Sequence, residues 1–326
     1  MKKILVTGGS GFIGSALVKK LLNEGHQIRI LDDNSRGSLR RLQEVRNYIE
    51  IINGDICDQN TVENALKGID IVHHLAYING TENFYKVPER ILEIAVKGTM
   101  NVIDSAIKNN VGELYLASSS EVYQTPKSIP TDELVPLTIP DVMNPRYSYG
   151  GGKLISELLV INYGRKFFER VCIYRPHNVY GPDMGWEHVI PQFALRLNQL
   201  TANKNGKLLQ FPIQGDGSET RSFCHIDDFI DGVILLQNCG KNINVYNIGT
   251  EEELRIIDLA RLMAGLYSQD IKIMPGELMA GSVLRRCPDL FKIKSLGYQP
   301  KVSIEHGLAK TVDWYKQNMS LAPNFS

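Results

Sequence analysis

The first half of this chain alternates between short apolar runs and amphipathic stretches, and that alternation limits the fold more than any other feature. The segments "KKILVTG", "QIRILDD", "IEIINGD", "DIVHHLA" and "ELYLASSS" read as buried strands. Between them, "SALVKKLLNEGH", "TVENALKGI" and "ERILEIAVKGTMNVIDSAIKNN" carry helical spacing. In the first of these, Leu17, Leu21 and Leu22 share a face and Gly25 stops the helix. Parallel neighbours need a crossover, and a helix supplies it, so the pattern implies a Rossmann-like, doubly wound parallel α/β sheet with helices on both faces. After residue 176 the alternation becomes irregular, as expected of a smaller C-terminal α/β lobe. The expected division is residues 1–176 plus about 222–248 in the sheet domain, and about 177–221 plus 249–326 in the lobe.

Composition removes several function classes. Lys plus Arg and Asp plus Glu both total 36, so no net charge recruits nucleic acid or an anionic membrane. Hydrophobic residues at 43% allow a sizeable core. "MKKILVTGG" is too short an apolar run for a signal peptide or a membrane span, and the five cysteines include no CxxC pair. These features suggest a cytoplasmic protein with reduced thiols and no structural metal. His73 and His74 lie inside a strand without partners at metal-ligand spacing, so their expected role is structural.

The first strand–helix turn is "TGGSGFIG". Gly8, Gly11 and Gly14 permit a tight turn and close approach of a pyrophosphate, and Phe12 and Ile13 open the helix whose N-terminus faces it. Asp32 ends the second strand, where its carboxylate can accept from a ribose diol, with Asn34 just beyond. That favours NAD over NADP, although Arg36 nearby points the other way. Asp55 and Ile56 after the third strand suit the adenine end, and Leu75 and Ala76 close the fourth. Ligands of open α/β sheets bind outside the carboxyl ends of strands, which is where all these residues fall.

The stretch "PRYSYGGGK" poses a separate problem. Tyr149 and Lys153 are four apart and would share a helix face, yet three glycines in a helix cost about 1 kcal/mol each against alanine. We expect a helix opening after Asn144-Pro145 against the cofactor-bearing sheet, with bare backbone where a neighbour must come close.

With "TGGSGFIG", "SSSEVY" and "YGGGK" in this order, followed by "YRPHNVYGP", "GDGSETRSFCHIDD" and "RCPDLFKIKSLGYQP", the chain resembles the extended short-chain dehydrogenase/reductase superfamily. Within it, the chain is similar to the NAD-dependent nucleotide-sugar epimerases, dehydratases and decarboxylases, nearly end to end. The resemblance implies that Tyr149 is the catalytic acid/base, Lys153 its partner, and Ser119 the hydroxyl beside a nucleotide-diphosphate sugar. The chemistry agrees: a free tyrosine is a poor base at neutral pH, and an ammonium one turn away favours its phenolate. By the same resemblance, backbone at Pro176 faces the nicotinamide, Ser120 lies at the sugar, and Asn178, Arg221 and Arg286 hold the sugar or diphosphate. His225 and Asp228 are expected to anchor the lobes. A homodimer through helices at residues 90–109 and 150–165 is the family expectation.

The step after C4 oxidation is left open by these residues. A 4-epimerase needs only sugar rotation and hydride return, and this is the activity first expected. The Asp-Glu pair typical of 4,6-dehydratases is replaced by Ser120-Glu121. "SSSEVY" and "RCPD" resemble the glucuronate decarboxylases, the alternative. "HNVYGPDMGWEHVIP" resembles the loop of GDP-mannose 3,5-epimerases, with Glu187 and Glu121 at about the places of their lysine and cysteine. A scaffold or NAD(P) sensor without chemistry would have no use for Ser119, Tyr149 and Lys153 together. A dehydrogenase that releases reduced cofactor would not keep NAD bound through turnover.

Overall fold

The computed structural model describes residues 1–202, 208–277 and 283–323. The five apolar runs form β1 (Lys3–Thr7), β2 (Gln27–Asp32), β3 (Ile49–Asn53), β4 (Ile71–His74) and β5 (Glu113–Ala117). With β6 (Arg170–Pro176) and the strand Asn244–Ile248 they make a seven-stranded parallel sheet. From one edge its order is Asn244–Ile248, β6, β5, β4, β1, β2, β3. The strand order reverses between β1 and β4, the position that opens a crevice for ligands in such sheets.

The strands are apolar without alternation because both faces are covered. Ile4 and Val6 join one core with the helices Phe12–Asn23 and Ile226–Cys239, while Leu5 between them joins the other with the helices Gln59–Leu66 and Thr99–Lys108. The long helix expected after residue 88 is interrupted. Ile94–Gly98 forms a π turn between the helices Pro88–Glu93 and Thr99–Lys108. This is where the helix Tyr147–Phe167 packs on it, and the Ala95 carbonyl accepts from the Ser156 hydroxyl at 3.1 Å.

The remaining strands form three small sheets around a third core that includes Tyr180, Phe193, Phe211, Met263 and Tyr315. Asp228 ties the helix Ile226–Cys239 to the C-terminal segment by accepting from the Lys301 and Val302 amides, each at 2.9 Å. His73 stacks on Tyr115 and hydrogen-bonds Gln237 at 2.7 Å, while His74 pairs with the Thr7 hydroxyl at 2.7 Å. Both rings are therefore occupied in packing. Among the described residues no helix is long and apolar enough to cross a membrane.

Candidate active site

The carboxyl ends of the central strands open on one cavity of about 410 Å³. Gly8 sits there with φ +72°, and a Cβ on it would lie 2.8 Å from the Ala76 amide nitrogen. Any side chain at Gly14 would overlap the Gly8 carbonyl oxygen. The turn is thus closed so tightly that only bare backbone fits, which leaves the start of helix Phe12–Asn23 facing the cavity. Asp32 is buried and accepts from the Ser10 and Asn34 amides, each at 2.8 Å, so its carboxylate is fixed at the cavity wall. Asp55 accepts from the Cys57 amide at 2.8 Å and from Arg90. Burial works to raise its pKa, but these donors hold it below the ordinary aspartate value. Ile56, Leu75, Ala76 and Pro176 line the same cavity, whereas Asn34 stands behind Asp32.

The other end of the cavity is built by the strand-end turn after β5 and by the helix Tyr147–Phe167. Ser119 caps the short turn Ser120–Tyr123, its hydroxyl accepting from the Glu121 amide at 3.1 Å. Tyr149 packs between Phe84, stacked at 4.8 Å, and Tyr77, edge-on at 5.2 Å. Burial pushes its phenol up to about 12, against a lowering hydrogen bond from Ser119. Lys153 donates to the Ala117 carbonyl at 2.8 Å, and burial brings its ammonium down to about 7, opposed by Glu157. Ser119, Tyr149 and Lys153 all face the cavity.

Each of the three glycines has its own neighbour. A Cβ on Gly150 would lie 2.5 Å from Gln124 Nε2 and 2.9 Å from the Glu121 carbonyl oxygen. On Gly151 it would reach Ile139 at 3.1 Å. On Gly152 it would overlap the Tyr77 hydroxyl and approach Ala95 Cβ at 2.8 Å. The helix exists despite its glycines because the helix is buried at all three, with the strand-end turn and the π turn pressed against it.

Glu121 lies on the cavity wall and accepts from Arg286 at 2.8 Å. Burial acts to raise its pKa, but Arg286, with Arg146 and Arg221 behind it, holds the carboxyl below its ordinary range. Arg221 makes no ion pair among the described residues. Burial, then repulsion from Arg286, lowers its pKa to about 10. Arg286 and Glu121 stand on the cavity wall, whereas Arg221 and Arg146 do not line it, and Glu219 is a second carboxylate beside Arg221. Ser120 and Asn178 line the cavity, and Asn178 also donates to the Ser222 carbonyl at 3.3 Å. Glu187 is not on the wall itself: both its oxygens accept from Arg36 at 2.7 Å, over Gly80, at a rim of the cavity that Arg36 and Gly80 form. That pair also occupies the guanidinium that a 2′-phosphate would need.

A sequence model of the NAD dependent epimerase/dehydratase family matches residues 4–249. The chain belongs to that family. As a member it is an NAD-dependent enzyme of the nucleotide-sugar epimerase, decarboxylase and dehydratase group. It is 32% identical to a UDP-N-acetyl-alpha-D-glucosaminuronate decarboxylase of Bacillus cytotoxicus, over 97% of this chain and 98% of that one. It is similar to the crystal structure of dTDP-glucose 4,6-dehydratase from Streptomyces venezuelae with NAD bound, at TM-score 0.86 and 30% identity, covering 98% of each chain. UDP-glucose 4-epimerase from Thermotoga maritima, solved with UDP-glucose, gives TM-score 0.85 and 27% identity over 97% of this chain and 99% of that one. The glycine cradle that no Cβ could enter, the fixed Asp32 carboxylate and the tethered Arg36 fit a dinucleotide lacking a 2′-phosphate.

Sequence reasoning missed Tyr77, Phe84 and Arg146. Tyr77 had a signal, since it follows Leu75-Ala76 at the carboxyl end of β4. Arg146 lies three residues before Tyr149, a helical neighbour. Phe84 had none, because its contact with Tyr149 is purely tertiary.

Proposed function

We propose that this enzyme decarboxylates a nucleotide-linked uronic acid through a transient 4-keto sugar. The observation that carries the reading is the Glu121–Arg286 pair on the wall of the cavity that Ser119 and Tyr149 share. NAD bound along the crevice supplies the acceptor for the hydride of sugar C4 and its later return. Tyr149 takes the proton of the C4 hydroxyl, Ser119 shares that hydrogen bond, and the Lys153 ammonium favours the phenolate. With a ketone at C4, the carboxylate on C5 belongs to a β-keto acid. The C5–C6 bond breaks, its electron pair moves into a C4 enolate, carbon dioxide leaves, and C5 takes up a proton from water, while the proton held by Tyr149 goes back to the C4 oxygen when the hydride returns. An arginine already neutralised by Glu121 can orient the uronate through its remaining N–H donors. It stabilises the ground-state carboxylate less than a free guanidinium would, which favours losing it. Arg221 and Arg146, close to the Glu121–Arg286 pair, are the guanidiniums that suit the diphosphate.

Proton exchange between two carboxylates finds less support, because Glu121 is held ionised and Glu187 is tied to Arg36. Plain 4-epimerisation, first expected from the sequence, stays the second reading, since Ser119, Tyr149 and Lys153 suffice for it. A homodimer belongs to the same reading: Leu92, Val96 and Leu158 leave apolar surface exposed on the two helices expected to pair. The deciding experiment incubates the NAD-loaded protein with UDP-glucuronate, UDP-N-acetylglucosaminuronate and UDP-glucose, followed by mass. Loss of carbon dioxide from a uronate is expected. Conversion of UDP-glucose to an isomer, with both uronates untouched, would overturn the decarboxylase in favour of the epimerase.

A further inference from the structure

We infer that Tyr77 is a positioning residue for the Lys153 ammonium, and that residue 152 is glycine so that Tyr77 can reach it. This rests on Tyr149 and Lys153 being the reacting pair, but not on which sugar is turned over. Tyr77 leaves the end of β4 and crosses to the helix Tyr147–Phe167. The Lys153 ammonium sits 3.7 Å from the centroid of its ring, a cation–π contact, and the ring meets Tyr149 edge-on at an interplanar angle of 89°. One aromatic ring thus touches both members of the pair. Its hydroxyl reaches the Tyr149 main-chain carbonyl at 3.5 Å and lies in the space a Cβ on Gly152 would take. An alanine there would have to push the ring away, because Ala95 Cβ at 2.8 Å blocks movement in the other direction. The helical cost of that glycine therefore has a specific return.

The ammonium needs such a partner. Its hydrogen bond goes to the Ala117 carbonyl, and among the described residues no carboxylate lies within ion-pair distance of it. The titratable groups facing it are few. His74 on β4 is kept neutral, its pKa lowered to about 3 by burial and then by Lys153. Glu157, one turn on in the same helix, is bound by Arg175. Tyr149 is the phenol it serves. Tyr77 is itself pushed well above the ordinary tyrosine value by burial and then by Tyr149, so it remains a neutral ring. Burial disfavours the Lys153 charge, whereas the ring face favours it, and the charged form is what lowers the barrier to a Tyr149 phenolate.

The test is a carbon-13 NMR titration of the NAD-loaded full chain labelled at lysine Cε. The Lys153 signal is assigned by its loss in Lys153→Met. Tyr77→Leu removes the ring and should lower the Lys153 midpoint by roughly half to one and a half pH units, a cation–π attraction converted at about 1.36 kcal/mol per unit. It should also abolish the ring-current shift of that signal. Tyr77→Phe keeps the ring and should preserve both, and Gly152→Ala should behave like Tyr77→Leu. An unchanged or raised midpoint in Tyr77→Leu overturns the role of Tyr77. A Gly152→Ala protein that titrates like wild type overturns the role of the glycine. Should Gly152→Ala not fold, recovery of folding in Gly152→Ala/Tyr77→Phe, where the overlapping hydroxyl is gone, supports that role, and failure to recover overturns it.

Discussion

Glu157→Gln should weaken the fold far more than its conservative chemistry suggests. Glu157 lies one turn beyond Lys153 in the helix Tyr147–Phe167, and Arg175 lies on β6 beside Pro176. The guanidinium donates to both carboxylate oxygens, at 2.9 and 2.6 Å, with the side chains only 3% and 7% exposed. Ser118 donates to the same carboxylate, and Arg175 donates on to the Tyr123 hydroxyl at 2.8 Å, which donates to Asn247 at 2.8 Å. The glutamine keeps the volume but leaves a buried guanidinium without its counter-charge and turns one acceptor into a donor. Breaking one side of such a pair costs about 3–5 kcal/mol, against a total stability on the order of 5–15 kcal/mol. The variant should therefore fold, with a urea midpoint lowered in proportion and an unchanged slope. Replacing both partners, as Glu157→Leu with Arg175→Met, removes the orphaned charge and should cost less than the single change. A loss under about 1 kcal/mol for Glu157→Gln, the scale of an exposed pair, would refute the reasoning, as would a double variant weaker than the single one.

Four further outcomes are expected. Tyr149→Phe should lower turnover by roughly 100-fold or more while NAD still binds, and wild-type turnover would remove Tyr149 from the chemistry. Glu121→Gln should still reduce bound NAD with a uronate yet stall as a 4-keto sugar without releasing carbon dioxide; unimpaired turnover would make Glu121 structural. Titration with both cofactors should show tighter binding of NAD than NADP, and Asp32→Ala should narrow the gap; equal affinities in the wild type would count against Asp32 as the discriminator. Burial lowers the pKa of His73 to about 4 and those of His74 and His177 to about 3, from an ordinary 6.5. The unfolded chain therefore takes up protons below pH 6.5 that the fold refuses, and stability should fall with acid by up to about 1.4 kcal/mol per pH unit for each ring. His73→Gln should remove one proton from that slope, and an unchanged slope would mean the ring is protonated in the fold.

Much of the fold was legible because its cause is local and repeated. Apolar runs such as "KILVT" leave no polar face, so they must be covered on both sides, and the helical stretches between them are the cover. The π turn at Ile94–Gly98 was not legible, since it answers to the Ser156 hydroxyl and the glycine face of another helix. The glycine turn from Gly8 to Gly14 and the place of Asp32 on the crevice wall were readable, because a backbone turn and a strand-end carboxylate are set by residues adjacent in the chain.

What the sequence by itself determined is the family, the glycine turn with its strand-end carboxylate and the Tyr149–Lys153 spacing; the last two follow from short-range geometry: helix pitch, strand ends and glycine turns. What only the tertiary structure decided is the charge and packing around Tyr149 and Glu121. Glu121 and Arg286 are 165 residues apart, yet meet at 2.8 Å, and Glu187 is drawn to Arg36 across 151 residues. Tyr77 reaches Lys153 only because Gly152 lacks a side chain. Coulomb attraction and van der Waals exclusion act through space, and neither depends on separation along the chain.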